Sequence, residues 1–196
     1  MSDTTSKNFT IHTADSASAE GNEELKKSKK KYGFIPNFIA VAAEAPSVVR
    51  SYDALTSEFE KTSLSATQRQ VVFLAASTEN GCDFCVPAHT AAVKSDASID
   101  DGVAESLRNG EPLEDEKLEA LASFTRSLLR NKGNVSNQEI ESFLDADYTR
   151  QQALEVMVGL AAKTLSNFIN NMADTPLNKE LSEFAWTAKS QNTKAA

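Results

Sequence analysis

The stretch Glu79–Thr90, ENGCDFCVPAHT, holds both cysteines of the chain and one of its two histidines. Cys82 and Cys85 stand three residues apart, and His89 follows four residues after the second. Three uses fit these residue types. Two neighbouring thiols can cycle between dithiol and disulfide. Cysteine and histidine ligate zinc. Free cysteine is also among the most buried residue types, so the pair would simply fill space in a core. On a helix the three side chains fall within about 60° of one face. Pro87 is tolerated only in a first helical turn, so the helix is predicted to start near Asp83 with Cys85 in that turn. Free N–H groups and the helix dipole there favour a thiolate. The His89 imidazole is placed to accept the thiol proton or to stabilise the anion. The pattern favours the redox couple. A closed zinc site would need the remote His12, a carboxylate or a second subunit, so no metal and no other cofactor is expected.

The rest of the chain must hold this motif. Its 196 residues, 40% hydrophobic and 24% charged, suit one soluble domain that is stable without disulfides. The net charge of −8 disfavours binding to phosphate backbones, so no nucleic acid is expected as a partner. The basic run KKSKKK, Lys26 to Lys31, reads as a solvated face. No apolar run approaches the roughly 20 residues of a membrane span, and the N-terminus lacks the apolar core of a secretory signal. These features imply a cytoplasmic protein with no membrane association and thiols reduced at rest.

Residues 1–22 show little periodicity and are expected to form a flexible arm. Residues 23–190 are read as a single all-helical domain carrying the C-x-x-C motif, and 191–196 as a disordered tail. A short helix is predicted to reach about Ala43, and Pro46 opens another. The capping box SATQ, Ser65 to Gln68, starts RQVVFLAAST, which is apolar on most sides and belongs in the core. Asn80-Gly81 stops it. Further helices are expected near Asp100–Asn109, Glu114–Asn131 and Ser136–Leu144. TRQQ, Thr149 to Gln152, caps a long helix to about Asn170, and a short C-terminal helix contains Phe184 and Trp186. No stretch alternates with period two, so the fold class is all-α.

RQVVFLAASTENGCDFCVPAHTAAVK resembles the core of the carboxymuconolactone decarboxylase / alkylhydroperoxidase D-like family. YGFIPNF before it and NFINNMADTPLNKELSEFAW after it resemble the peroxidase-related branch, so the resemblance covers roughly Tyr32 to Trp186. It implies an alkylhydroperoxidase D-like helical bundle that forms a homo-oligomer. By that resemblance the protein is a thiol-dependent peroxidase or disulfide oxidoreductase, with an antioxidant role. Cys85 would attack a small-molecule peroxide, Cys82 would resolve the sulfenic acid, and a dithiol reductant would reset the pair. A lactone-processing enzyme of the decarboxylase type, with His89 as acid and base, is the alternative, as is a non-catalytic redox sensor. Redox members usually carry Glu twelve residues before the first cysteine. Here that position is Gln70, which cannot take a proton. The residue before the second cysteine is often His or Tyr, and here it is Phe84. The proton relay is thus reduced to His89, with Glu79 or Glu155 as substitutes, and peroxidase activity is expected to be weak.

Overall fold

The structure, a computed structural model, describes residues 3–188. Its centre is the helix Ala66–Glu79, in which every residue from Val71 to Ser77 is buried. Such a segment has no polar face to give to solvent, so neighbours must surround it. Five do: the helices Pro46–Glu60, Cys85–Ser95, Asp101–Asn109, Glu116–Arg130 and Arg150–Ala173. Numbered in chain order, the helices are α1 (Ala19–Tyr32), α2 (Asn37–Ala42), α3 (Pro46–Glu60), α4 (Ala66–Glu79), α5 (Cys85–Ser95), α6 (Asp101–Asn109), α7 (Glu116–Arg130), α8 (Asn137–Asp145) and α9 (Arg150–Ala173). A short 3-10 helix, Lys179–Phe184, follows and packs on α5. The fold is all-α.

Local chemistry sets the boundaries. Ser65 and Gln68 form a reciprocal capping box at the start of α4, and Thr149 and Gln152 do the same for α9. Gly81 ends the α4 segment with φ of 59°, a left-handed backbone that glycine adopts without a Cβ penalty. Trp186 lies just beyond the 3-10 helix rather than in a C-terminal helix, and its indole N–H donates to the Arg108 carbonyl at 2.9 Å.

The N-terminal stretch differs from the expected flexible arm over residues 1–22. Asp3–Thr4 pairs antiparallel with Thr10–Ile11, and the His12 amide donates to the Ala40 carbonyl at 3.1 Å. Helix α1 then begins at Ala19, capped by the Ser18 hydroxyl. Periodicity misses α1 because its buried residues are Gly21, Glu24, Leu25 and Ser28, of which one is a large hydrophobe. Close approach does the packing instead: a Cβ on Gly21 would sit 2.7 Å from the Ala43 carbonyl oxygen. The five lysines of the run Lys26–Lys31 are exposed, while Ser28 among them is buried. The expected disordered tail, 191–196, lies outside the described residues.

Candidate active site

Helix α4 stops at Asn80-Gly81, and the chain turns through Cys82–Phe84 into α5. The Cys82 amide donates back to the Ser77 carbonyl at 3.0 Å, and the amides of Cys85 and Val86 donate to the Cys82 carbonyl at 3.1 Å. Cys85 is the first residue of α5, two residues later than the predicted start, and Pro87 occupies the third position, where no N–H is needed. Both cysteines are buried, 2.6 Å apart and not bonded as a disulfide. The Cys85 amide also reaches the Cys82 sulfur at 3.2 Å.

Helix α9 faces this turn with Lys163, Ser166, Asn167 and Asn170, all buried. The spacing i, i+3, i+4, i+7 makes one stripe. Asn170 donates through Nδ2 to Cys85 Sγ at 3.2 Å. Asn167 bridges Ser77 and Asn80, which pins the end of α4. Lys163 Nζ lies 2.7 Å from His89 Nε2, and His89 Nδ1 lies 3.1 Å from Gln70 Oε1. An ammonium can only donate. His89 Nε2 therefore accepts, Nδ1 carries the hydrogen, and the Gln70 carbonyl oxygen accepts it. Burial, then the Lys163 charge, holds the His89 pKa well below its ordinary value, which agrees with this neutral ring.

The same neighbours split the two thiols. Burial alone would raise the Cys85 pKa, but the Cys82 side chain, the Lys163 charge and the Asn170 amide outweigh it and lower it. Burial raises that of Cys82, and the bond to Cys85 and its charge raise it further. Of the two, Cys85 is thus the more acidic thiol. The pair sits on a cavity of about 600 Å³, which Cys85, His89, Lys163 and Asn170 line together with aromatic side chains including Tyr52 and Phe84.

Of the residues singled out from sequence, Cys82, Cys85, His89, Gln70 and Phe84 come together here. Phe84 is an apolar wall of the cavity and offers no proton. The two carboxylates considered as substitute bases stand elsewhere. Glu79 is held by Arg130 through two bonds of 2.7 Å, and Glu155 by Ser63 at 2.6 Å and Gln151 at 2.8 Å. Both are engaged by surface partners on other faces of the bundle, because the Asn80-Gly81 break turns the chain after Glu79 and Glu155 lies two turns before Lys163 on α9. A larger hollow of about 890 Å³ beside Glu79 holds Arg108, Arg126 and Arg130 but neither cysteine nor histidine, so it carries no thiol chemistry. His12 is bonded to Glu44, away from the cysteines. Among the described residues, no cluster of three or more His, Cys, Asp or Glu side chains is placed to hold a metal, and no helix is long and apolar enough to cross a membrane.

Residues 46–126 match the carboxymuconolactone decarboxylase family. That span includes Gln70, both cysteines and His89, but not Lys163 or Asn170. No curated protein matches the sequence significantly. Several solved structures share the fold. An uncharacterized peroxidase-related protein from Ralstonia eutropha JMP134, with an alkylhydroperoxidase AhpD core, is 20% identical over 87% of this chain and 92% of its own, with a TM-score of 0.72. An uncharacterized peroxidase-related protein from Silicibacter sp. TM1040 is 18% identical over 92% of this chain and 97% of its own, with a TM-score of 0.75. The debrominase Bmp8, in complex with 2,3,4-tribromopyrrole, is 12% identical over 85% of this chain and 89% of its own, with a TM-score of 0.71.

Proposed function

We propose that this chain, whose residues 46–126 match the carboxymuconolactone decarboxylase family and which folds like alkylhydroperoxidase D-like proteins, is a thiol-dependent peroxidase of the antioxidant type. The observation that carries this reading is the division of labour between two adjacent sulfurs. Cys85 opens a helix, accepts the Asn170 N–H and faces the cavity, while Cys82 stays a buried thiol beside it. The Cys85 thiolate attacks the terminal oxygen of a hydroperoxide, the O–O bond breaks, and a sulfenic acid forms. The Cys82 thiol then displaces water to give the disulfide, and a dithiol reductant returns both sulfurs to thiols. We further propose that the protein acts in the cytoplasm as a homo-oligomer.

Intact mass measurement after one equivalent of peroxide tests this. Loss of two hydrogens, reversed by a dithiol, is expected. Cys82→Ser should stop at the sulfenic acid and Cys85→Ser should not react. Steady turnover with peroxide and dithiol separates catalysis from sensing. An unchanged mass would sink the reading. Lactone processing by His89 is disfavoured, since its basic nitrogen is engaged by Lys163 and the other is tied to Gln70.

A second reading keeps the same thiols as a two-electron reductant. The cavity is far larger than a peroxide needs and is walled by aromatic rings, which suits a ring-sized organic halide. There one bromine would leave as bromide, replaced by hydrogen, as the pair closes to a disulfide. Bromide release from a bromopyrrole, absent in Cys85→Ser, would support it.

A further inference from the structure

Lys163 is 1% exposed, yet none of the ion pairs among the described residues includes it. Burying an ammonium is costly unless something compensates. Its compensation here is a neutral imidazole at 2.7 Å and the face of Phe73 at 5.3 Å. Two carboxylates, Glu60 and Glu180, line the same cavity, but neither pairs with it. Lys163 therefore shares the cavity with Cys85 and has no carboxylate partner among the described residues.

The other donors near Cys85 are poorer acids or already engaged. His89 gives its one hydrogen to Gln70, which cannot pass a proton on. Asn170 offers only an amide, and its buried Oδ1 has no hydrogen-bond partner among the described residues. Tyr52 lines the cavity, but burial makes its phenol a weaker acid than usual.

We propose that Lys163 donates the proton needed by the oxygen that departs when Cys85 is oxidised, while His89 and Gln70 hold its ammonium in place. This rests on the peroxide reading of the site. The step is Cys85–S⁻ plus RO–OH plus Lys163–NH₃⁺, giving Cys85–S–OH, ROH and Lys163–NH₂. Sulfur supplies the electron pair of the new S–O bond, the O–O pair leaves on RO, and that oxygen takes the lysine proton. Lys163 recovers its proton from solvent before the next turnover. Gln70 fits this scheme: a neutral amide orients the ring that holds Lys163 without adding an anion to compete for its charge.

Leaving-group dependence tests the proposal. An alkoxide is strongly basic and needs a proton as it departs, whereas benzoate does not. The rate of Cys85 oxidation would be measured with tert-butyl hydroperoxide and with peroxybenzoic acid in the wild type, Lys163→Met and Lys163→Arg. Lys163→Met should slow the alkyl hydroperoxide by about 10²-fold or more and the peroxyacid by less than about tenfold. The ratio of the two rates within one variant does not depend on how much protein is folded. Lys163→Arg keeps the charge but cannot release a proton. It should show the same fall in ratio while the pH profile of Cys85 alkylation stays near that of the wild type. Equal losses for both oxidants in Lys163→Met, or an unaltered ratio in Lys163→Arg, would overturn the proposal. Wild-type Cys85 that alkylates normally but reacts with neither oxidant would sink the peroxide reading, and this inference with it.

Discussion

His89 Nδ1 lies 3.1 Å from Gln70 Oε1, and that bond ties the cysteine helix α5 to the central helix α4. Because Lys163 donates to the other nitrogen, the ring is fixed as a neutral imidazole with its hydrogen on Nδ1. A glutamate at position 70 was the expected base, and Gln70 a lost one. The geometry gives the amide a different meaning. A carboxylate here would stabilise a charged imidazole and compete with the Cys85 thiolate for the Lys163 ammonium.

Gln70→Glu is therefore expected to make Cys85 less acidic. The midpoint of its alkylation pH profile should move upward by about one unit, the size of effect a nearby like charge produces. Nitrogen chemical shifts of His89 should show an imidazolium near pH 7 in the variant and a neutral ring in the wild type. A neutral ring and an unmoved midpoint in a folded variant would contradict this account.

In the wild type, Cys85 alkylation by iodoacetamide should rise through about pH 6 and level off above it. The thiolate is the nucleophile, so a depressed pKa shifts the rise to lower pH, where an ordinary thiol would rise near 8.5. Cys82 from the motif, Lys163, Asn167 and Asn170 from α9, and Tyr52 from α3 act on the sulfur, and His89 acts through Lys163. His89 titrates well below its ordinary range and Tyr52 well above, so a single inflection is expected. Asn170→Ala removes a donor to the sulfur and should move the midpoint upward. Cys82 should stay unlabelled until the protein unfolds. Earlier labelling of Cys82 would reverse the roles of the two thiols.

His89 also links stability to pH. Its folded pKa is depressed, so the unfolded chain binds a proton more readily below pH about 6.5. The contribution is fully present above that value and is lost as pH falls toward the folded pKa, at up to about 1.4 kcal/mol per pH unit. Urea unfolding at pH 7.0 and 5.5 should show a larger loss for the wild type than for His89→Gln. Equal losses would mean that the ring is charged in the folded protein.

The motif and the helices that frame it were legible in the sequence because their signals are local. The boxes at Ser65 and Thr149, the Asn80-Gly81 stop and Pro87 each act within one turn of chain. Lys163 and Asn170 were missed for a physical reason. Periodicity assigns the apolar face of a helix to the core, and α9 follows that rule only in part: it buries Val156, Leu160 and Ala162 but also a polar stripe. Leu154, Met157, Phe168 and Met172 are exposed, while Lys163, Ser166, Asn167 and Asn170 are buried. The signal was present as four polar residues at i, i+3, i+4 and i+7. It has meaning only once α9 is known to pack against the cysteine turn. Helix α1 escaped because close backbone approach at Gly21, not hydrophobic surface, seats it.

The exposed apolar stripe of α9 leads to a prediction about assembly. Leu154, Met157, Phe168 and Met172 are 72%, 44%, 58% and 55% exposed and fall within about 60° of one stripe. Such a stripe along a helix of 24 residues is suited to a like helix from a second copy. Light scattering at low micromolar concentration should give a mass well above the 21.2 kDa of one chain. Leu154→Glu with Phe168→Glu should return it to one chain without loss of helicity. A monomeric wild type would remove the role given to this face.

The opposite side of α9 decides where Lys163 sits. Gly159 lies one turn before Lys163 and packs on α3. A Cβ there would come within 2.7 Å of Phe59 Cζ, and Phe59 is wholly buried. The ring is also packed on Phe73 at 4.9 Å between centroids, so Gly159→Val is expected to push α9 away from α3. Overpacking of this kind costs about 1–3 kcal/mol, which thermal or urea unfolding would register. Displacing α9 also draws Lys163 and Asn170 away from Cys85, so the alkylation midpoint should rise along with the loss of stability. Phe59→Leu in the same chain removes the ring tip and should restore part of both. If Gly159→Val lowered stability but left the midpoint where it was, α9 would be yielding locally at Phe59, and the position of Lys163 would be set by its bond to His89 rather than by the α3–α9 contact.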